Sequence, residues 1–67
     1  MRKEILEAVK LHALGNIEKH KINIEIYLTN PVGIGEHSDV VAAILGEIDQ
    51  ISHYHDQLEV LEKYIDK

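Results

Sequence analysis

Cysteine is absent from this chain of 67 residues, which rules out disulfides and most zinc sites and carries no information about compartment. No apolar run approaches the ~18 residues of a spanning helix, and Met1-Arg2-Lys3-Glu4 opens with charge. A soluble, intracellular protein without a signal peptide or membrane segment is expected. Basic residues are also few, 7 Lys and Arg against 12 Asp and Glu. Nucleic-acid affinity depends on clustered Lys and Arg, so that scarcity argues against a phosphate-binding surface. There is one proline, Pro31, and it falls near the middle.

What is present is apolar periodicity cut once. An apolar share of 45% with 28% charged residues belongs to a globular chain, not a disordered one. At this length a domain folding alone removes only ~60% of its unfolded surface from water, so extra support is needed. Asn30-Pro31-Val32-Gly33-Ile34-Gly35-Glu36-His37-Ser38-Asp39 divides the chain into two arms of nearly equal length. Arg2, Lys3, Lys10, Lys19 and Lys21 against Glu4, Glu7, Glu18 and Glu25 give the first arm a balance of +1. Lys63 and Lys67 against Glu36, Asp39, Glu47, Asp49, Asp56, Glu59, Glu62 and Asp66 give residues 30–67 a balance of −6. Opposite charge favours the arms lying side by side.

In the second arm Val41, Ile44, Ile48, Ile51, His55, Leu58, Glu62 and Ile65 step by three and four, the rhythm of a helix seam. Leu45, Tyr54 and Leu61 widen the stripe. Ser38 suits the N-cap, with Asp39 in the positive first turn. Helix is expected over about 39–64, Gly46 costing ~1 kcal/mol relative to Ala.

The first arm is less plain. Ile5, Leu6, Val9, Ala13, Leu14 and Ile17 repeat as in a helix, and Lys3 can pair with Glu7 and Glu18 with Lys21. Gly15-Asn16 is a possible break. Ile22, Ile24, Ile26 and Leu28 alternate as in a strand, but no second segment alternates to pair with them, and a lone strand is not stable in water. Helix is therefore expected over about 3–29, with Ile24 and Leu28 continuing the Ile17 face and Ile22 and Ile26 forming a second. Asn30 caps it, Pro31 stops it, and Gly33 and Gly35 supply backbone freedom for the connection over 30–38. The expected fold is all-α, a single-domain antiparallel hairpin pairing residue i with roughly 67 − i. Surplus apolar surface points to dimerisation into a four-helix bundle.

Few features invite chemistry. Gly33-Ile34-Gly35-Glu36-His37-Ser38 resembles a phosphate loop, but no Lys or Arg follows it, Glu36 and Asp39 repel phosphate, and there is no room for a βαβ unit. Capping and connection account for it better, and account for Ser38 better than a nucleophile does. No catalytic constellation and no cofactor site is found, so an enzyme is not expected. Of the five histidines, His12 and His55 are the weak metal candidates, since the register brings them together near Asp56 or Glu59. His20 should face Glu47. The plainer account is polar seam residues that fix register.

The string Tyr27-Leu28-Thr29-Asn30-Pro31-Val32-Gly33-Ile34-Gly35-Glu36-His37-Ser38-Asp39-Val40 resembles a stretch found in small proteins of marine tailed phages that infect cyanobacteria, with likeness over about residues 15–64. The resemblance implies a phage origin, and the cytoplasm of an infected bacterium or the virion as location. It assigns no activity and no site residues. The expected function is a non-enzymatic accessory protein that binds itself and an unknown phage or host protein, with Ile34, Glu36 and His37 displayed at the hairpin tip. The alternatives are a metal- or pH-responsive module using His12, His20, His53 and His55, and an acidic mimic of DNA that inhibits a host protein.

Overall fold

A computed structural model describes residues 1–29 and 39–66. One helix, α1, runs Arg2–Thr29, and a second, α2, runs Val40–Val60 and continues into a π-helical turn at Leu61–Ile65. Neither described arm contains a strand. The alternation Ile22–Leu28 is therefore helical. A strand there would have left a full row of backbone donors and acceptors unpaired, whereas the helix satisfies them within the segment.

Gly15 and Asn16 do not break α1. Asn16 turns its amide back to donate to the His12 carbonyl oxygen at 2.8 Å, beside the helix ladder and without replacing it. Lys21 and Glu18 pair at 3.1 Å. The expected capping residue Ser38 lies outside the described residues. The cap of α2 is Asp39, whose carboxylate accepts from the Ala42 amide at 3.0 Å and also sits at the positive end of the helix dipole.

The two arms lie antiparallel in the expected register. Arg2 donates from Nη2 to the Ile65 carbonyl oxygen at 2.8 Å, and His20 meets Glu47 at 2.6 Å, each pair summing to 67. The arginine thus satisfies a carbonyl that the end of the helix leaves without an intrahelical donor.

The seam itself is turned relative to the expected one. Among the less exposed positions of α2 and its π-turn, Val40, Ile44, Glu47, Ile51, Tyr54, Leu58 and Leu61 step by four and three, with Ala43 beside Ile44. Ile44, Ile51 and Leu58 are shared with the sequence reading; Val41, Ile48, His55 and Glu62 are replaced by the residue before each. The rotation takes Tyr54 and Leu61 inward and leaves His55 and Glu62 in water. The one charged residue it admits, Glu47, has hydrogen-bond partners on α1. On α1 the less exposed positions are Leu6, Ala13, Asn16, Ile17, His20, Asn23, Ile24 and Tyr27, so Tyr27 takes the place expected for Leu28.

This seam is thin. Among the described residues only Ala13, His20 and Leu61 are buried. Val41, Leu45 and Ile48 form an exposed row on α2, and Ile22 and Ile26 stand exposed on α1. No helix among the described residues is long and apolar enough to cross a membrane.

Candidate functional site

The seam's polar centre is built from both helices. His20 and Asn23, three apart on α1, present side chains to the same patch, and Glu47 comes from the opposing turn of α2. His20 donates from Nδ1 to Glu47 Oε2 at 2.6 Å, and Asn23 donates from Nδ2 to Oε1 at 2.8 Å. Both carboxylate oxygens are thereby engaged. His20 is 8% exposed, and the Glu47 side chain 14%. Donors aimed at a carboxylate favour its charged form. The His20 hydrogen bond, above all, holds the Glu47 carboxyl below its usual range; burial opposes this, while Asn23 and the positive charges of His20 and Lys19 reinforce it.

Tyr54 adds an aromatic floor. His20 stacks over its ring with centroids 6.2 Å apart and planes at 18°. His12 meets the same ring edge-on at 5.9 Å, and His53 does so at 4.9 Å. Three imidazoles from two helices therefore surround one phenol. His12 and His53 are exposed, and each has an amide four residues further on its own helix: Asn16 at 3.5 Å and Gln57 at 3.3 Å.

His12 does not turn to His55. The seam's rotation sets Tyr54 against His12, while His55 points to solvent and meets Glu59 Oε1 at 2.9 Å on its own helix. Among the described residues no group of three or more His, Asp or Glu side chains converges to hold a metal ion. The loop residues Ile34, Glu36 and His37, and the connecting residues Asn30, Pro31, Gly33, Gly35 and Ser38, lie outside the described residues.

Sequence spacing pairs His20 with Glu47 and places Tyr54 at the edge of the apolar stripe, but gives neither Asn23 nor the Tyr54 ring a place in the polar centre. Asn23 had a signal, its spacing of three from His20 on a helix. Tyr54 had one too, since it opposes His12 once the seam rotates by one residue. Compared with known proteins, the chain matches no family model, no curated protein and no solved structure.

Proposed function

We propose that this chain is a small non-enzymatic interaction protein: a helical hairpin that associates with itself into a four-helix bundle and binds another protein of a phage or its host. One observation carries the reading. Among the described residues the hairpin buries two apolar side chains, Ala13 and Leu61, and leaves Ile5, Val9, Ile22, Ile26, Leu45 and Ile48 among others largely in water. Each of these side chains is about half covered already, so completing its burial is worth roughly half of the ~1.5–3 kcal/mol of a full transfer, and several together give association a driving force. The resemblance of the Tyr27–Val40 string to small marine phage proteins supports a phage setting, with the infected cytoplasm or the virion as location. Ile34, Glu36 and His37 are the residues of that string assigned to recognition.

Two measurements test this. Sedimentation equilibrium at high micromolar concentration is expected to find a species above 7.6 kDa. Affinity capture from an infected host is expected to recover a specific partner, and the double substitution Glu36→Ala with His37→Ala to weaken that capture without lowering thermal stability. A hairpin that stays monomeric and captures nothing defeats the proposal.

A proton-responsive module is the second reading, favoured by a different observation: Glu47 and His20, both ionisable, meet within the seam with little of either side chain exposed. Assembly that follows pH through the carboxylate range, and is insensitive to the loop substitutions, would favour it over the first.

A further inference from the structure

At the end of the hairpin away from the loop the two arms share one surface hollow. Ile5 and Val9 of α1, with Val60 and Ile65 of the other arm, line a groove of about 710 Å³ whose lining includes the buried Leu61. That volume falls within the ~300–1,000 Å³ usual for small-ligand sites, which are mostly apolar with a few polar groups that fix orientation. Here the polar groups gather at the loopward end, because the antiparallel register brings His12 of α1 beside Asp56 and Gln57 of α2. Leu61 and Ile65 are the two ends of the π-turn, and turns of that kind are rare in helices and frequent at functional sites.

We propose that this groove binds a small amphiphilic cation, an unbranched alkyl chain lying along the apolar walls with its ammonium head beside Asp56 and Gln57. Charge chooses the head. Among the described residues Asp56 is the only acidic group that lines the groove, no Lys or Arg lines it, and the Asp56 carboxylate has no hydrogen-bond or ion-pair partner. Gln57 turns its amide nitrogen to His53 at 3.3 Å, so its carbonyl oxygen is left to accept. One carboxylate and one carbonyl suit a monocation and repel a carboxylate or phosphate head. Shape chooses the chain. From Ile5 to His12 the groove follows α1 for about 10 Å, so a straight chain can lie along it and carry its head to the polar end. An exposed ion pair is weak by itself; the apolar contacts supply most of the affinity, and Asp56 selects the sign of the head. The exposed rows at Ile22 and Ile26 and at Val41, Leu45 and Ile48 lie outside the groove, so the site does not depend on the self-association proposed above.

The probe is n-octylammonium, titrated below its micelle concentration into the isotope-labelled chain and followed by amide NMR. Saturable shifts are expected at residues 5–12 and 56–65. The n-octanoate anion, with a similar chain and the opposite charge, should bind at least about fivefold more weakly, and n-butylammonium at least about tenfold more weakly because it covers less of the walls. Asp56 is exposed and lies outside the seam, so Asp56→Asn should leave the fold unchanged and weaken octylammonium binding about two- to fivefold. Asp49→Asn, on the same helix but outside the groove, should leave it unaltered. Absence of saturable octylammonium binding overturns the site, and so do shifts centred on residues 18–29 or 41–48. Octanoate bound as tightly as octylammonium, or an Asp56→Asn chain that binds octylammonium at full strength, overturns the cationic head.

Discussion

His20 and Glu47 meet across the hairpin at 2.6 Å, in a seam where their neighbours are apolar, and Asn23 engages the other carboxylate oxygen. A carboxylate between two donors is stable in such a place only while both donors remain. Glu47→Ala leaves the buried His20 Nδ1–H without an acceptor. It is expected to lower unfolding free energy by ~1–3 kcal/mol, read by urea denaturation. Glu47→Leu replaces the carboxylate with apolar volume and leaves the same donor stranded, so a full recovery of stability in that variant would show that the pair contributes little.

Acid should weaken the fold through the same residue. Folding lowers the Glu47 pKa from an ordinary value of 4.5, so the unfolded chain binds the proton more readily than the folded one. The stability Glu47 contributes is present in full well above pH 4.5 and is lost as pH falls from there through the folded value. The midpoint of thermal unfolding should fall across that window, and Glu47→Gln should flatten the fall. An unchanged slope in Glu47→Gln would assign the acid sensitivity to other carboxylates.

Gly15 and Gly46 lie inside helices, and beyond the adjoining residues and the helix's own backbone a methyl group at either would meet no atom within 4 Å. Alanine there removes conformational freedom from the unfolded chain at no steric cost. Gly15→Ala and Gly46→Ala are each expected to stabilise by ~0.5–1 kcal/mol, raising the midpoint in a calorimetric scan.

Asp39 is the group that starts α2. Asp39→Ala removes the acceptor for the Ala42 amide and should cost ~1 kcal/mol, while Asp39→Asn keeps a good capping side chain and should cost less. If the two variants unfold alike, the negative charge at the helix start outweighs the hydrogen bond.

The hairpin and its register were legible in the sequence because both are set by quantities a sequence carries. Three-and-four apolar spacing specifies helices, a single Asn-Pro with two glycines marks where the chain reverses, and two equal arms joined by one loop can lie back to back in only a narrow range of registers. His20 opposite Glu47 followed from that arithmetic alone. The strand-like alternation of Ile22–Leu28 was resolved by the absence of a partner strand, which is also a property of the whole sequence.

The face each helix turns inward was decided by tertiary structure. Val41-Ile48-His55-Glu62 and Val40-Glu47-Tyr54-Leu61 are neighbouring rows that share the intervening positions Ile44, Ile51 and Leu58, and counting apolar residues scarcely separates them. The second row wins because it places Glu47 against His20 and Asn23, and Tyr54 against His12 and His20; those partners stand on the other helix and are invisible to the periodicity of α2 alone. The Arg2 bond to the Ile65 carbonyl belongs to the same class, because it joins the two arms. Helix formation and chain reversal are local, so the sequence determined them; rotation about the helix axis is settled by which side chains on two separate segments bury and bond each other best, and only folding brings those segments together.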